Sequence, residues 1–224
     1  MPKRLNLHID ESGTQDMREG VYLVAVVLHE QDADIVDCIG KYEAKLAQAK
    51  LPDIPFHCVD LVHGHGDYKS LEPRVRGRLL ASFAACVRAL PISIKAFSYD
   101  GAFVRDRASL EAALRRDLVD FFFDSLSYFQ KFDEICIYYD GGHQAVDVAV
   151  RQAAAYALAR DACTFKAPGY SEKRLLQVAD YACGVERVMM AYESGKQTRT
   201  QERFFGGRRR FNQSFAKQLK HKRF

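Results

Sequence analysis

The stretch from Arg4 to Gly13, RLNLHIDESG, decides the fold. Leu5, Leu7 and Ile9 alternate with Asn6, His8 and Asp10, the period of two expected of a strand with one buried face. Asp10 ends the polar face of that strand, and Glu11, Ser12 and Gly13 supply the turn chemistry that stops it. After a short polar link, VYLVAVVLH (21–29) is an almost unbroken apolar run, as in a strand buried on both faces, so the two segments are predicted to form a hairpin.

Working outward, helical spacing covers 32–50, and LPDIPFHCVDLVHGHGDY (51–68) is punctuated by Pro, Gly and His as an irregular connection. A helix follows over 71–90, with Pro73 in its first turn, and then PISIKAFSYDG (91–101) as a third strand. The rest of the pattern predicts a long helix over 107–130, a central strand EICIYYD (134–140), a helix over 143–160, a short strand near 162–166 and a last helix over 172–193. This order predicts an α/β fold with a mixed five-stranded sheet and flanking helices, strands one and four lying side by side and parallel. The expected organisation is one domain over 1–195, carrying a helical insertion at about 31–90, followed by a basic tail over 196–224.

Composition bounds the function classes. With 48% hydrophobic and 28% charged residues in 224, the chain is an ordinary folded protein rather than a disordered one. The start has no signal-peptide run and no segment is apolar enough to cross a bilayer, so a cytoplasmic location and no membrane partner are expected. The six cysteines are scattered without a C-x-x-C pair, which predicts reduced thiols and excludes a disulfide-stapled secreted domain. Charge is uneven: residues 196–224 carry ten Lys or Arg against the single acid Glu202, leaving the first 195 residues with five more acids than bases. An acidic body with a basic tail signals a polyanionic partner.

Three acids sit where apolar segments end or face a core: Asp10, Asp140 in YYDGG and Asp180 in RLLQVADYACG. Buried carboxylates are costly singly, and a divalent cation compensates several at once. Each alone has an ordinary explanation, Asp10 and Asp140 as turn residues and Asp180 as part of a polar helix stripe with Lys173, Gln177, Gly184 and Arg187. Their convergence at the carboxyl ends of strands one and four, the usual ligand crevice of such sheets, makes them a candidate site.

Together LHIDESG, YYDGG and RLLQVADYACG resemble the signatures of a family of bacterial and phage proteins of unknown function placed in the ribonuclease H-like superfamily, over about Leu5 to Met190. The resemblance implies a ribonuclease H-like fold, with Asp10, Asp140 and Asp180 as metal ligands and Glu11 assisting. It also implies a fourth acid from the helix before strand four, where Glu111, Asp117, Asp120 and Asp124 are all open. Hard oxygen ligands select Mg²⁺ or Mn²⁺, and a pair of such ions hydrolyses phosphodiesters without a protein nucleophile. His57 is the candidate assistant from the insertion, and Ser12 and Gln177 are further assisting candidates.

Other readings rank lower. His57, Cys58, His63 and His65 lack the paired spacing of a closed zinc site. No Gly-rich phosphate loop follows a strand, and no histidine is spaced to activate Ser12 as a nucleophile. The tail interleaves Phe204, Phe205, Phe211 and Phe215 with Arg208, Arg209, Arg210 and four further cations. That pattern suits either stacking and phosphate contact with nucleic acid or docking of the rings on the body. Lys173, Arg187 and Arg208 to Arg210 are the expected nucleic-acid contacts. The expectation is therefore metal-dependent phosphodiester hydrolysis of nucleic acid; a non-catalytic nucleic-acid-binding module and a nucleotide phosphohydrolase are the alternatives.

Overall fold

The computed structural model describes residues 2–13, 20–158 and 163–224. Five strands, β1 (Arg4–Ser12), β2 (Val21–Glu30), β3 (Ser93–Asp100), β4 (Glu134–Tyr139) and β5 (Cys163–Phe165), form one sheet in the order β3-β2-β1-β4-β5. The hairpin pairs β1 with β2 and β2 with β3 antiparallel, while β1–β4 and β4–β5 are parallel. The sequence expectation for strands one and four therefore holds, with Ile9 opposite Tyr139.

One face of the sheet is covered by α4 (Arg107–Asp124), the short α5 (Leu126–Phe129) and α6 (Gln144–Ala157). Leu5, Leu7, Ile9, Val24 and Val26 point to this side and pack with Leu114, Leu118, Phe122 and Val146. The helix expected over 107–130 breaks at Ser125, and the predicted end of the next helix, at Arg160, lies outside the described residues.

The other face carries α7 (Tyr170–Glu193), which is itself backed by a second layer. That layer consists of the insertion helices α1 (Val36–Gln48), α2 (Cys58–His63) and α3 (Pro73–Ala89), and of α8 (Arg199–Phe205), α9 (Arg208–Phe211) and α10 (Lys217–Lys222). A π-helical turn, Asn212–Ala216, joins the last two. Because α7 lies between sheet and helices, it is buried on nearly every side from Leu175 to Met189.

One expectation changes here. β1 is buried on both faces, not one: Asn6 and His8 are as inaccessible as the leucines, because α7 closes over them, and the His8 ring stacks on Tyr138 at a centroid distance of 4.8 Å. The rings of the basic segment dock on the body, one of the two readings its pattern allows: Phe205, Phe211 and Leu219 are buried in the same core as α3 and α7. Its end reaches β3, where Arg223 bridges Ile94 and the Phe224 N–H donates to the Ile94 carbonyl. The connection over 51–68 contains α2 and a 3₁₀ turn, with Gly64 at φ +75° closing α2 in the left-handed conformation that glycine supplies without strain. Among the described residues no helix is long and apolar enough to cross a membrane, and all six cysteines are free thiols.

Candidate functional site

Period-two alternation turns Asp10 to the α7 side of the sheet, following Asn6 and His8. Opposite it, Asp180 sits in the buried middle of α7 and accepts a hydrogen bond from the Cys58 backbone N–H at 2.6 Å. That donor is the first N–H of α2, one of the groups a helix start leaves without an internal partner. Gly184 makes the approach of α2 possible: a Cβ there would stand 2.1 Å from Cys58 Sγ. His57 caps α2, its Nδ1 accepting the Asp60 N–H at 3.4 Å, and its own N–H donates to the Tyr68 hydroxyl.

Glu11 and Asp140 end the adjacent parallel strands. Gly141, at φ +83°, turns the chain after Asp140, and a Cβ on Gly142 would lie 2.7 Å from Glu11 Oε1, so a side chain there would push the Glu11 carboxylate aside. Behind Glu11, the Tyr139 hydroxyl accepts the His143 N–H at 2.6 Å, and the Tyr22 hydroxyl is hydrogen-bonded to His143 Nδ1. Arg187 Nη2 donates to the Ser12 carbonyl at 2.8 Å and to Ser12 Oγ at 3.1 Å, pinning the end of β1 to α7. Glu11, Ser12, His57, His63, Asp180 and Arg187 line a cleft of about 460 Å³, with His143 in its wall.

Burial raises the Asp10 carboxyl to about 9, and the neighbouring Asp180, Glu11 and Asp140 add to the rise. Glu11 is raised to about 7 by burial, with Asp140 adding and a hydrogen bond to Tyr139 opposing. Burial likewise pushes Asp180 up, while His57 and the Cys58 N–H pull it back. Among the described residues none of the four acids forms an ion pair with Lys or Arg, and Glu11 Oε2 is buried without a hydrogen-bond partner. An acidic group of this kind, with hard oxygen donors and one orphaned buried oxygen, has the donor chemistry a divalent cation needs. The side chains do not form a ready cage as they stand: among the described residues no group of three His, Cys, Asp or Glu is placed to hold an ion.

The remaining sequence candidates divide. Ser12 and His57 are in the cleft, and Arg187, expected to hold phosphate, is engaged with Ser12. Gln177 accepts from Arg174 Nη1 at 3.3 Å, within the ion-pair group that joins Arg174 to Glu43 and Asp53. Glu111 lies on α4, across the sheet from α7, and does not line the cleft. Lys173 is exposed in the first turns of α7, and Arg208, Arg209 and Arg210 are exposed on α9, away from the cleft. Sequence reading missed His143, Tyr139, Tyr22 and the Cys58 N–H. The only local signal was a histidine three residues after Asp140, and the rest depends on contacts between distant segments. Compared with known proteins, the chain matches no family model, no curated protein and no solved structure.

Proposed function

We propose that the chain is a Mg²⁺- or Mn²⁺-dependent nuclease of ribonuclease H-like architecture that hydrolyses phosphodiester bonds of nucleic acid. The observation that carries this reading is the proximity of four acids, Asp10 and Glu11 on β1, Asp140 just after β4 and Asp180 on α7, of which Glu11 and Asp180 line the cleft. The five-stranded mixed sheet, with acids on its first and fourth strands and its long helix, is compatible with that architecture. Asp10, Asp140 and Asp180 would hold the cation, Glu11 assisting. When bound, the cation supplies Lewis-acid polarisation of the phosphate and of an attacking water.

The chain's own residues do the rest. The Cys58 N–H fixes the Asp180 carboxylate, Arg187 fixes the end of β1 through Ser12, and the Tyr139 hydroxyl ties down the end of the Gly141–Gly142 loop through the His143 N–H. His57 and His63 offer imidazole hydrogen bonds to phosphate oxygens entering the cleft.

The test is cleavage of labelled single-stranded DNA, duplex DNA and RNA with Mn²⁺ or Mg²⁺ and with chelator. Asp10→Asn and Asp180→Asn should each lose about a thousandfold in turnover, several kcal/mol of lost polarisation, while keeping the wild-type circular dichroism. Cleavage that persists in chelator, or full turnover in either variant, overturns the reading. Tight binding without any turnover points to a non-catalytic module instead.

A further inference from the structure

Away from the acidic cleft lies a second groove of opposite charge. Its volume is about 510 Å³, and it is lined by Arg88 of α3 with Gln213, Ser214, Lys217, His221 and Lys222 from the π turn and α10. Among the described residues no carboxylate lines it, and none of Arg88, Lys217 or Lys222 pairs with an acid. The Arg88 and Lys217 side chains are exposed and make no hydrogen bond or ion pair with the described residues, so their charge is open to a ligand. Lys222 is half-buried, with Nζ donating to the neutral Leu90 carbonyl at 2.5 Å, and burial lowers its pKa, as expected of an ammonium with no anion beside it. Arg208, Arg209 and Arg210, exposed on α9, immediately precede the π turn that forms one wall.

Strand register places this groove relative to the cleft. Leu90 leads into β3, whose first residue, Ser93, pairs with Leu28, whereas its last, Asp100, pairs with Val21 on the margin of the acidic cleft. The eight residues of β3, at about 3.3 Å each, put roughly 25 Å along the strand direction between its Leu90 end and the margin of the cleft. A nucleic-acid strand covers that distance in about seven stacked nucleotides at about 3.4 Å each. The cleft offers a polyanion the carboxylates of Glu11 and Asp180, and its one cation among the described residues, Arg187, is engaged with Ser12, so attraction has to come largely from elsewhere on the surface. Cations spread over two elements, with amide and hydroxyl donors between them, suit a row of phosphates better than one small anion.

We propose that this groove is a remote phosphate-backbone site, holding the nucleic-acid strand about seven nucleotides from the point of cleavage. The site of cleavage rests on the nuclease reading above; the binding does not. The groove also reassigns the basic segment: it acts as the wall of a formed channel completed by Arg88 from the insertion, rather than as a free arm.

The experiment compares the full-length protein with Arg88→Ala/Lys217→Ala by fluorescence anisotropy in chelator. The probes are a labelled trinucleotide and a labelled single strand of about thirty nucleotides, long enough to span both sites. The expected result is weaker binding of the long strand and a log–log salt slope flatter by about 1.4, from two lost contacts at about 0.7 each. The trinucleotide, short enough to sit in the groove alone, should also bind more weakly to the variant, while the variant's thermal stability should not change. An unchanged slope for the long strand overturns the proposal. So does a wild-type protein that ignores the long strand but binds polyglutamate, which gives the groove to an acidic protein. Failure of the nuclease reading is separate: it leaves groove-dependent binding with no cleavage by any form of the protein.

Discussion

Leu7 and His8 are neighbours on β1 and both are wholly inaccessible, yet they face opposite sides of the sheet and meet different surroundings. Leu7 packs into an apolar layer with α4 and α6. His8 stacks on Tyr138 under α7, with neither ring nitrogen in a well-formed hydrogen bond and only the Val27 backbone favouring its charged form. On that side β1 contributes Asn6, His8 and Asp10, while Leu23, Ala25 and Val27 of β2 and the apolar residues of α7 provide the attraction. The α4/α6 face is therefore built for cohesion, and the α7 face carries polar groups that cost stability. The candidate site lies at the end of the costly face.

Substitution at the neighbouring pair gives the largest expected contrast. Leu7→Ala should cost about 2–5 kcal/mol in urea unfolding, whereas His8→Leu should stay within about 1 kcal/mol of wild type or gain stability, because it removes an imidazole without good partners. Equal losses would break the distinction between the faces. A middle-sized effect belongs to Gly184→Ala. Its methyl group would overlap Cys58 Sγ, so α2 has to shift, at about 1–3 kcal/mol. Turnover should fall more than this suggests, since the same shift draws the Cys58 N–H from Asp180; a variant with wild-type melting temperature and activity refutes the close approach.

The last contrast is a slope with pH. In chelator, Asp10 with its carboxyl raised to about 9 is protonated in the folded state over a range where the unfolded chain, at 3.8, is ionised. Its contribution is complete below the unfolded value and is lost as pH rises toward 9, by at most about 1.4 kcal/mol per pH unit. Asp10→Asn should flatten that alkaline loss, and Mg²⁺ should offset it by binding only the folded form. His8 acts in the opposite direction. Its pKa is lowered from 6.5 to about 3, mainly by burial, so its neutral form favours folding above 6.5 and that contribution is lost as pH falls toward 3. Denaturation midpoints from pH 5 to 9 for wild type, Asp10→Asn and His8→Leu separate the two.

Strand pattern made much of the sheet legible, because the alternation in RLNLHIDESG and the apolar run in EICIYYD are local properties of consecutive residues. Local pattern also misled. Asn6 and His8 look solvent-facing because polarity usually implies exposure, and nothing in β1 reports that α7, more than 150 residues later, will cover it. The basic segment looked like an appendage because Arg and Lys dominate it, while four phenylalanines spaced among them carried the opposite message. For the site, the acids were visible as interruptions of apolar runs. Their supports were not, since a backbone N–H leaves no mark in a sequence and the glycines that admit Cys58 and Glu11 are common residues.

The cleft is closed by contacts between segments far apart in the chain: Cys58 with Asp180 across 122 residues, Asp10 with Cys183 across 173, and Ser12 with Arg187 across 175. Contacts of this separation form late, because long loops must close before they are rewarded. During synthesis, when segments emerge from the amino end onward, β1 and α2 wait for α7 before any cleft exists. A chain still on the ribosome is therefore without this cleft until α7 has emerged, so the fold itself times when the cleft first exists.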